Sequence, residues 1–130
     1  MILDKIKYMG GAALAYVGDA VLEVFVREKL VELGYDTGKL SAMAQKLVCA
    51  QKQSELGEKL LPLLDENEND IFRLGRNYKT SSKPRHTSAV AYHRASGFEA
   101  VFGYLHMSGN DERARELFYA VYADELDALR

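Results

Sequence analysis

Two acidic side chains stand out because their neighbours give them no reason to be charged. Asp19 lies in the run from Gly10 to Val26, where Glu23 is the only other charged residue. Glu99 is the only acid between Ser88 and Gly109. An unpaired carboxylate in a core costs several kcal/mol, against a total stability of roughly 5–15 kcal/mol for a small domain. Each acid therefore needs an arginine, a cap, a metal or solvent. If both runs are helical, Asp19 sits beside Ala15, Gly18 and Ala20, and Glu99 shares a face with Ala95, Ser96 and Gly103. Small residues let helices approach closely or admit a bulky ligand, and a crossing there would bring the two acids together. Such a pair suits Mg²⁺, which keeps several waters and takes one or two protein carboxylates plus phosphate oxygens. The competing assignment makes the acids independent, each paired with an arginine such as Arg76 or Arg94. Structural ion pairs also produce buried acids, and on residue chemistry alone this assignment comes first. Glu23 is four residues from Asp19: it could join a metal, or serve equally well at a helix surface or interface.

Other chemistries find less support. His86, His93 and His106 have no zinc-like spacing with one another or with Cys49. Phosphate-cradling glycine loops and nucleophile motifs are absent. Net charge is only −2, yet its distribution is uneven. Ile71 to Phe98 contains no Asp or Glu but carries Arg73, Arg76, Lys79, Lys83, Arg85 and Arg94, with acidic stretches on either side. A basic segment in an acidic chain is a candidate anion site, and a solvated loop is the plain alternative. Tyr78 falls in that segment, whereas Tyr92, Tyr104, Tyr119 and Tyr122 fall at helical positions that read as core.

The elements that must position these residues read as helices throughout. A first long helix spans about Gly11 to Leu33 and stops at Gly34. Thr37 caps a second through Leu47, and a third runs from about Ala50 to Leu61, ended by Pro62. Asp65 starts a short acidic helix that ends near Asn77, and Tyr78 to His86 has loop chemistry. Thr87 or Ser88 caps the helix of Glu99, whose apolar stripe is Phe98, Val101, Phe102 and Leu105. Gly109 breaks it, and Asn110 or Asp111 caps a last helix packed through Ala114, Leu117, Phe118 and Val121. Nothing alternates with period two, so the fold class is all-α.

With 130 residues, 48% of them apolar, the chain reads as one domain, residues 1–130. One cysteine, Cys49, excludes an internal disulfide and fits a reducing cytoplasm, and its apolar surroundings predict buried packing. No stretch reaches the ~18–20 uncharged residues of a membrane span. The basic and apolar start is interrupted by Asp19 and Glu23, so it reads as mature protein and not as a signal peptide.

Ala15-Tyr16-Val17-Gly18-Asp19-Ala20-Val21-Leu22-Glu23-Val24-Phe25-Val26-Arg27 resembles the signature of the ribonuclease III family, most of all its compact Mini-ribonuclease III branch. Arg73-Leu74-Gly75-Arg76-Asn77 and Phe98-Glu99-Ala100-Val101-Phe102-Gly103-Tyr104-Leu105 agree with it, in the right order over about Ala13 to Leu117. The absence of a double-stranded-RNA-binding domain also fits that branch. The resemblance implies an all-α endonuclease domain of about six to seven helices, acting as a homodimer on double-stranded RNA in maturation of large-subunit (23S) ribosomal RNA precursor. A ribosomal protein bound to that precursor is a further implied partner. Asp19 and Glu99 match the family's catalytic Mg²⁺ ligands, with Mn²⁺ able to substitute, and Glu23 matches a glutamate of the Mini branch. Arg73, Arg76, Asn77, Lys79, Lys83 and Arg85 would contact RNA. Full-length relatives carry further acids where this chain has Ala12, Ala15 and Ser96, and Mini relatives tend to have Asp where it has Ser88. The thinned carboxylate set motivates a rival expectation, a non-catalytic helical RNA-binding or ribosome-associated protein that retains the fold.

Overall fold

A computed structural model describes residues 5, 6, 8–78 and 88–129. Among the described residues, six α-helices of a turn or more follow one another: α1 (Gly11–Glu32), α2 (Thr37–Val48), α3 (Ala50–Leu60), α4 (Glu66–Asn77), α5 (Ala89–Met107) and α6 (Asp111–Asp127). A 3₁₀ turn, Leu61–Leu63, joins α3 to the loop before α4, with Pro62 inside it. No strand occurs among the described residues.

Local chemistry sets most of these ends. Gly34 and Gly109 adopt φ of +86° and +75°. Each closes a helix with the paired bonds of a Schellman stop: Gly34 and Tyr35 donate back to Val31 and Leu30, Gly109 and Asn110 to His106 and Leu105. At the start of α4, Asp65 and Glu68 satisfy each other's backbone N–H groups in a capping box. Ser88 caps α5 by accepting from the Ala91 N–H, and Asn110 caps α6 by accepting from that of Arg113. Thr37 is not a cap: it is the first residue of α2, and Asp36 holds the cap position without a side-chain bond.

α5 is the central helix, packed most extensively on α1, then on α4 and α3. Nearly all of its residues from Ala95 to Leu105 are buried, so its sequence reads apolar all round and not as a stripe. Phe98, Phe102, Phe118 and Tyr122 form the aromatic centre of the core, the closest ring pair being Phe118 and Tyr122 at 4.7 Å. Tyr104 and Tyr122 are core as expected, but Tyr119 is exposed, with the Lys29 ammonium over its ring. Cys49 is only half-buried, because it forms the junction between α2 and α3.

The acidic run before the basic segment holds a buried ion pair. Glu68, 3% exposed, accepts from Arg113 through both oxygens at 3.0 and 2.9 Å, and Arg113 also reaches the Leu63 carbonyl. Burial would raise the Glu68 carboxyl, but Arg113 and the Asp65 N–H outweigh it and hold it below the usual carboxylate range. This pair ties the start of α4 to the start of α6.

Candidate active site

The site lies where α1 crosses α5. A Cβ on Gly18 would stand 1.7 Å from the Glu99 carbonyl oxygen, and one on Gly103 would stand 1.9 Å from that of Leu14. The two helix backbones are in contact, so these glycines serve helix approach and not ligand access. That approach brings Asp19, exposed on α1, within hydrogen-bonding reach of the part-buried Glu99 on α5.

Two carboxylates this close resist being ionised together. Burial first, then the charge and hydrogen bond of Asp19, push the Glu99 carboxyl up to about 8. Gln53 of α3 works the other way, donating from Nε2 to Glu99 Oε2 at 3.5 Å. Asp19 opens into a cleft of about 590 Å³ bordered by Tyr16, Val24, Phe25, His106 and Arg115.

The arginine-pairing alternative is not what the fold builds. Arg94 binds Glu58 at 2.8 Å, and Arg76 Nε donates to Asn77 at 3.2 Å. Among the described residues, neither arginine pairs with Asp19 or Glu99. Glu23 is engaged by Arg27 at 2.9 Å. Arg73, Arg76 and Asn77 are exposed at the end of α4, with Arg73 paired to Asp70. Arg73 and Arg76 border one shallow groove with Asn69 and Phe72. Lys79, Lys83 and Arg85 lie outside the described residues. Tyr78 is half-buried, its hydroxyl 3.4 Å from that of Tyr92, so it is not the freely exposed ring expected of a loop.

Residue reading missed two polar groups near the acids. Gln53 is 2% exposed. Glu125 of α6 has one oxygen buried without a partner and the other 3.9 and 3.8 Å from Lys52 and Lys59. Glu125 and Glu99 both act on Tyr122, whose hydroxyl donates to the Leu47 carbonyl at 2.8 Å. Burial, followed by the charges of Glu125, Glu99, Cys49 and Glu23, pushes the Tyr122 phenol upward. A usable signal existed: Gln53, Leu56, Gly57 and Leu60 share one helical register, so Gln53 is a polar residue in an apolar row.

Residues 12–110 match the ribonuclease III domain family. The chain belongs to the ribonuclease III family. Among its relatives, a Mini-ribonuclease 3 of Symbiobacterium thermophilum is 42% identical over 108 residues, covering 82% of this chain and 83% of that protein. A Mini-ribonuclease 3 of Enterococcus faecalis is 39% identical over 114 residues, covering 85% and 86%. The X-ray structure of a protein from Fusobacterium nucleatum superposes with a TM-score of 0.83 at 27% identity, over 93% of this chain and 94% of that one. Family membership makes the chain an endoribonuclease, and the crossing of α1 and α5 is where its lone acids meet.

The residues present fit a divalent cation. Two carboxylates within hydrogen-bonding reach, one of them pushed up to about 8, are relieved of repulsion when a cation replaces the proton they share. Among the described residues, no cluster of three or more His, Cys, Asp or Glu side chains stands ready for a metal. A two-carboxylate site suits Mg²⁺, which retains much of its water. Ser96, at one of the positions where the resemblance implies an acid in full-length relatives, is 3% exposed and returns its hydroxyl to the Tyr92 carbonyl of its own helix. Ala15 is likewise packed in the core.

Proposed function

We propose that residues 1–130 act as one catalytic unit, a Mg²⁺-dependent endoribonuclease of the Mini-ribonuclease III kind that hydrolyses double-stranded RNA, with Mn²⁺ able to substitute. The observation that carries this reading is the close crossing of α1 and α5 at Gly18, which brings Asp19 within hydrogen-bonding reach of Glu99. Those two side chains would hold the cation, which would take the place of the proton on Glu99. The bound cation supplies Lewis-acid stabilisation of charge on the scissile phosphate and assists ionisation of the attacking water. Asp19, which lines the cleft, would meet the scissile strand there. Hydrolysis leaves a 5′-phosphate and a 3′-hydroxyl.

A-form RNA is read mainly through phosphates and 2′-hydroxyls. Arg73, Arg76 and Asn77 offer exposed donors for them, with Lys79, Lys83 and Arg85 continuing the basic segment. Glu23 serves as support near the metal through its position one turn from Asp19, with Arg27 neutralising it. A second copy of the chain docks on the outer stripe of α1, where Tyr16 is 83% and Val24 52% exposed beside the cleft. Two sites related by a two-fold axis would then cut both strands. The proposed substrate is precursor large-subunit ribosomal RNA in the cytoplasm, with a ribosomal protein on that precursor as a further contact; the names of the relatives support the ribonuclease part of this reading.

The test is incubation of the protein with a perfect RNA duplex and Mg²⁺, with cleavage ends mapped. We expect cuts bearing 5′-phosphates in the wild type. Asp19→Asn should lower the rate by at least a thousandfold while helical signal and duplex binding persist. Binding without cutting under Mg²⁺ or Mn²⁺ in the wild type would instead identify a non-catalytic RNA-binding protein.

A further inference from the structure

We infer that Gln53 is a positioning residue of the cation site, holding the Glu99 carboxylate in the orientation in which it and Asp19 share a metal. This rests on the two-carboxylate site proposed above. Gln53 occupies a position where packing asks for a hydrocarbon. It shares its face of α3 with Leu56 and Leu60, both essentially fully buried, and is itself 2% exposed. Burying an amide costs roughly 1–3 kcal/mol unless it is well bonded. The bond it makes, Nε2 to Glu99 Oε2, is long at 3.5 Å and so contributes little to folding. A leucine would suit stability better, so an account from packing alone fails.

The chemistry of the amide explains the choice. Glu99 leans on Asp19, and a second acid or a lysine at position 53 would change the charge of the pair. An amide donor restrains one carboxylate oxygen without adding charge and makes no bond to the other. Hydrogen bonds of this sort are commonly long before ligand arrives and tighten afterwards. The three side chains come from three helices, α1, α3 and α5, so Gln53 also ties α3 to the crossing. Ala12, Ala15 and Ser96 supply no carboxylate to restrain Glu99 in its place.

The experiment measures Mn²⁺ binding by electron paramagnetic resonance of the free ion, on wild type, Gln53→Met and Gln53→Asn, alongside the Mg²⁺ concentration giving half-maximal cleavage. Methionine keeps the volume and removes the donor. Asparagine keeps the amide but is one methylene too short to reach Glu99. Loss of an outer partner of a metal ligand commonly weakens metal affinity 10–100-fold. We expect both variants to bind Mn²⁺ at least tenfold more weakly and to need correspondingly more Mg²⁺, with melting temperature and duplex affinity close to wild type. Wild-type affinity for Mn²⁺ in either folded variant overturns the role of Gln53 and leaves the metal site standing. No Mn²⁺ binding by the wild type overturns both. If Gln53→Met fails to fold, Gln53→Asn decides alone by the same readout.

Discussion

Glu99 is a carboxyl group whose charge depends on what lies beside it. Burial and the adjacent Asp19 push it up to about 8, while in the unfolded chain it titrates near the ordinary glutamate value of about 4.3. Between those values the folded state holds a proton that the unfolded state has lost, so metal-free stability falls as pH rises through this window. Below it both states are protonated and nothing is lost. Glu99→Gln should remove that slope and raise the melting temperature by several degrees at pH 8 in chelator, while abolishing cleavage. Thermal unfolding from pH 5 to pH 8.5 in EDTA checks it; parallel slopes for the two proteins would exclude Glu99 as the titrating group. How far the site was legible turns on the same residues. Asp19 and Glu99 were conspicuous because a charge among small apolar residues has no packing rationale. Gln53 was not, because one glutamine in a helix rich in Lys, Gln and Glu looks like ordinary surface until its register is compared with Leu56 and Leu60.

At the scale of elements, the crossing of α1 and α5 depends on two absent side chains. The atom nearest to an added Cβ on Gly18 is the backbone oxygen of Glu99, which has no rotamer with which to yield. Alanine gains about 1 kcal/mol in helix propensity over glycine, but overpacking costs typically 1–3 kcal/mol and more where backbone must move. We expect Gly18→Ala to destabilise by about 2 kcal/mol in urea unfolding and to cut duplex RNA at least a hundredfold more slowly, since separating the helices separates Asp19 from Glu99. A variant as stable and active as wild type would mean that the helices can part without consequence. Helix limits were largely readable because glycine stops, Pro62 and the Asp65 cap are local devices. Sequence gave no sign of the Glu68–Arg113 pair, whose partners are 45 positions apart and which looks, residue by residue, like two solvated charges.

For the whole molecule, the outer stripe of α1 is the surface with most to lose if left in water. Tyr16, Val24 and Val31 are all more than half exposed, and Tyr16 and Val24 border the cleft that holds Asp19. An aspartate placed in a desolvated apolar interface remains charged at a cost that opposes association. In the proposed homodimer, Val24→Asp should therefore halve the mass measured by light scattering and reduce double-strand cleavage at least tenfold, with helix content unchanged. An unaltered dimer would place the interface elsewhere. The same variant should keep its Mn²⁺ affinity, because Asp19, Glu99 and Gln53 all come from one chain.

Sequence by itself determined the all-helical class, most helix ends, and the two acids that no core would tolerate unpaired. These follow from period, caps and desolvation cost, which act within a few residues. Only tertiary structure decided that Asp19 and Glu99 face each other and not Arg76 or Arg94. Which carboxylate meets which partner depends on how closely two backbones pass, and that distance is set by Gly18 and Gly103 packing against atoms about 85 positions away. Tertiary structure alone also gave Gln53 its place, by turning a polar side chain of α3 toward an acid of α5.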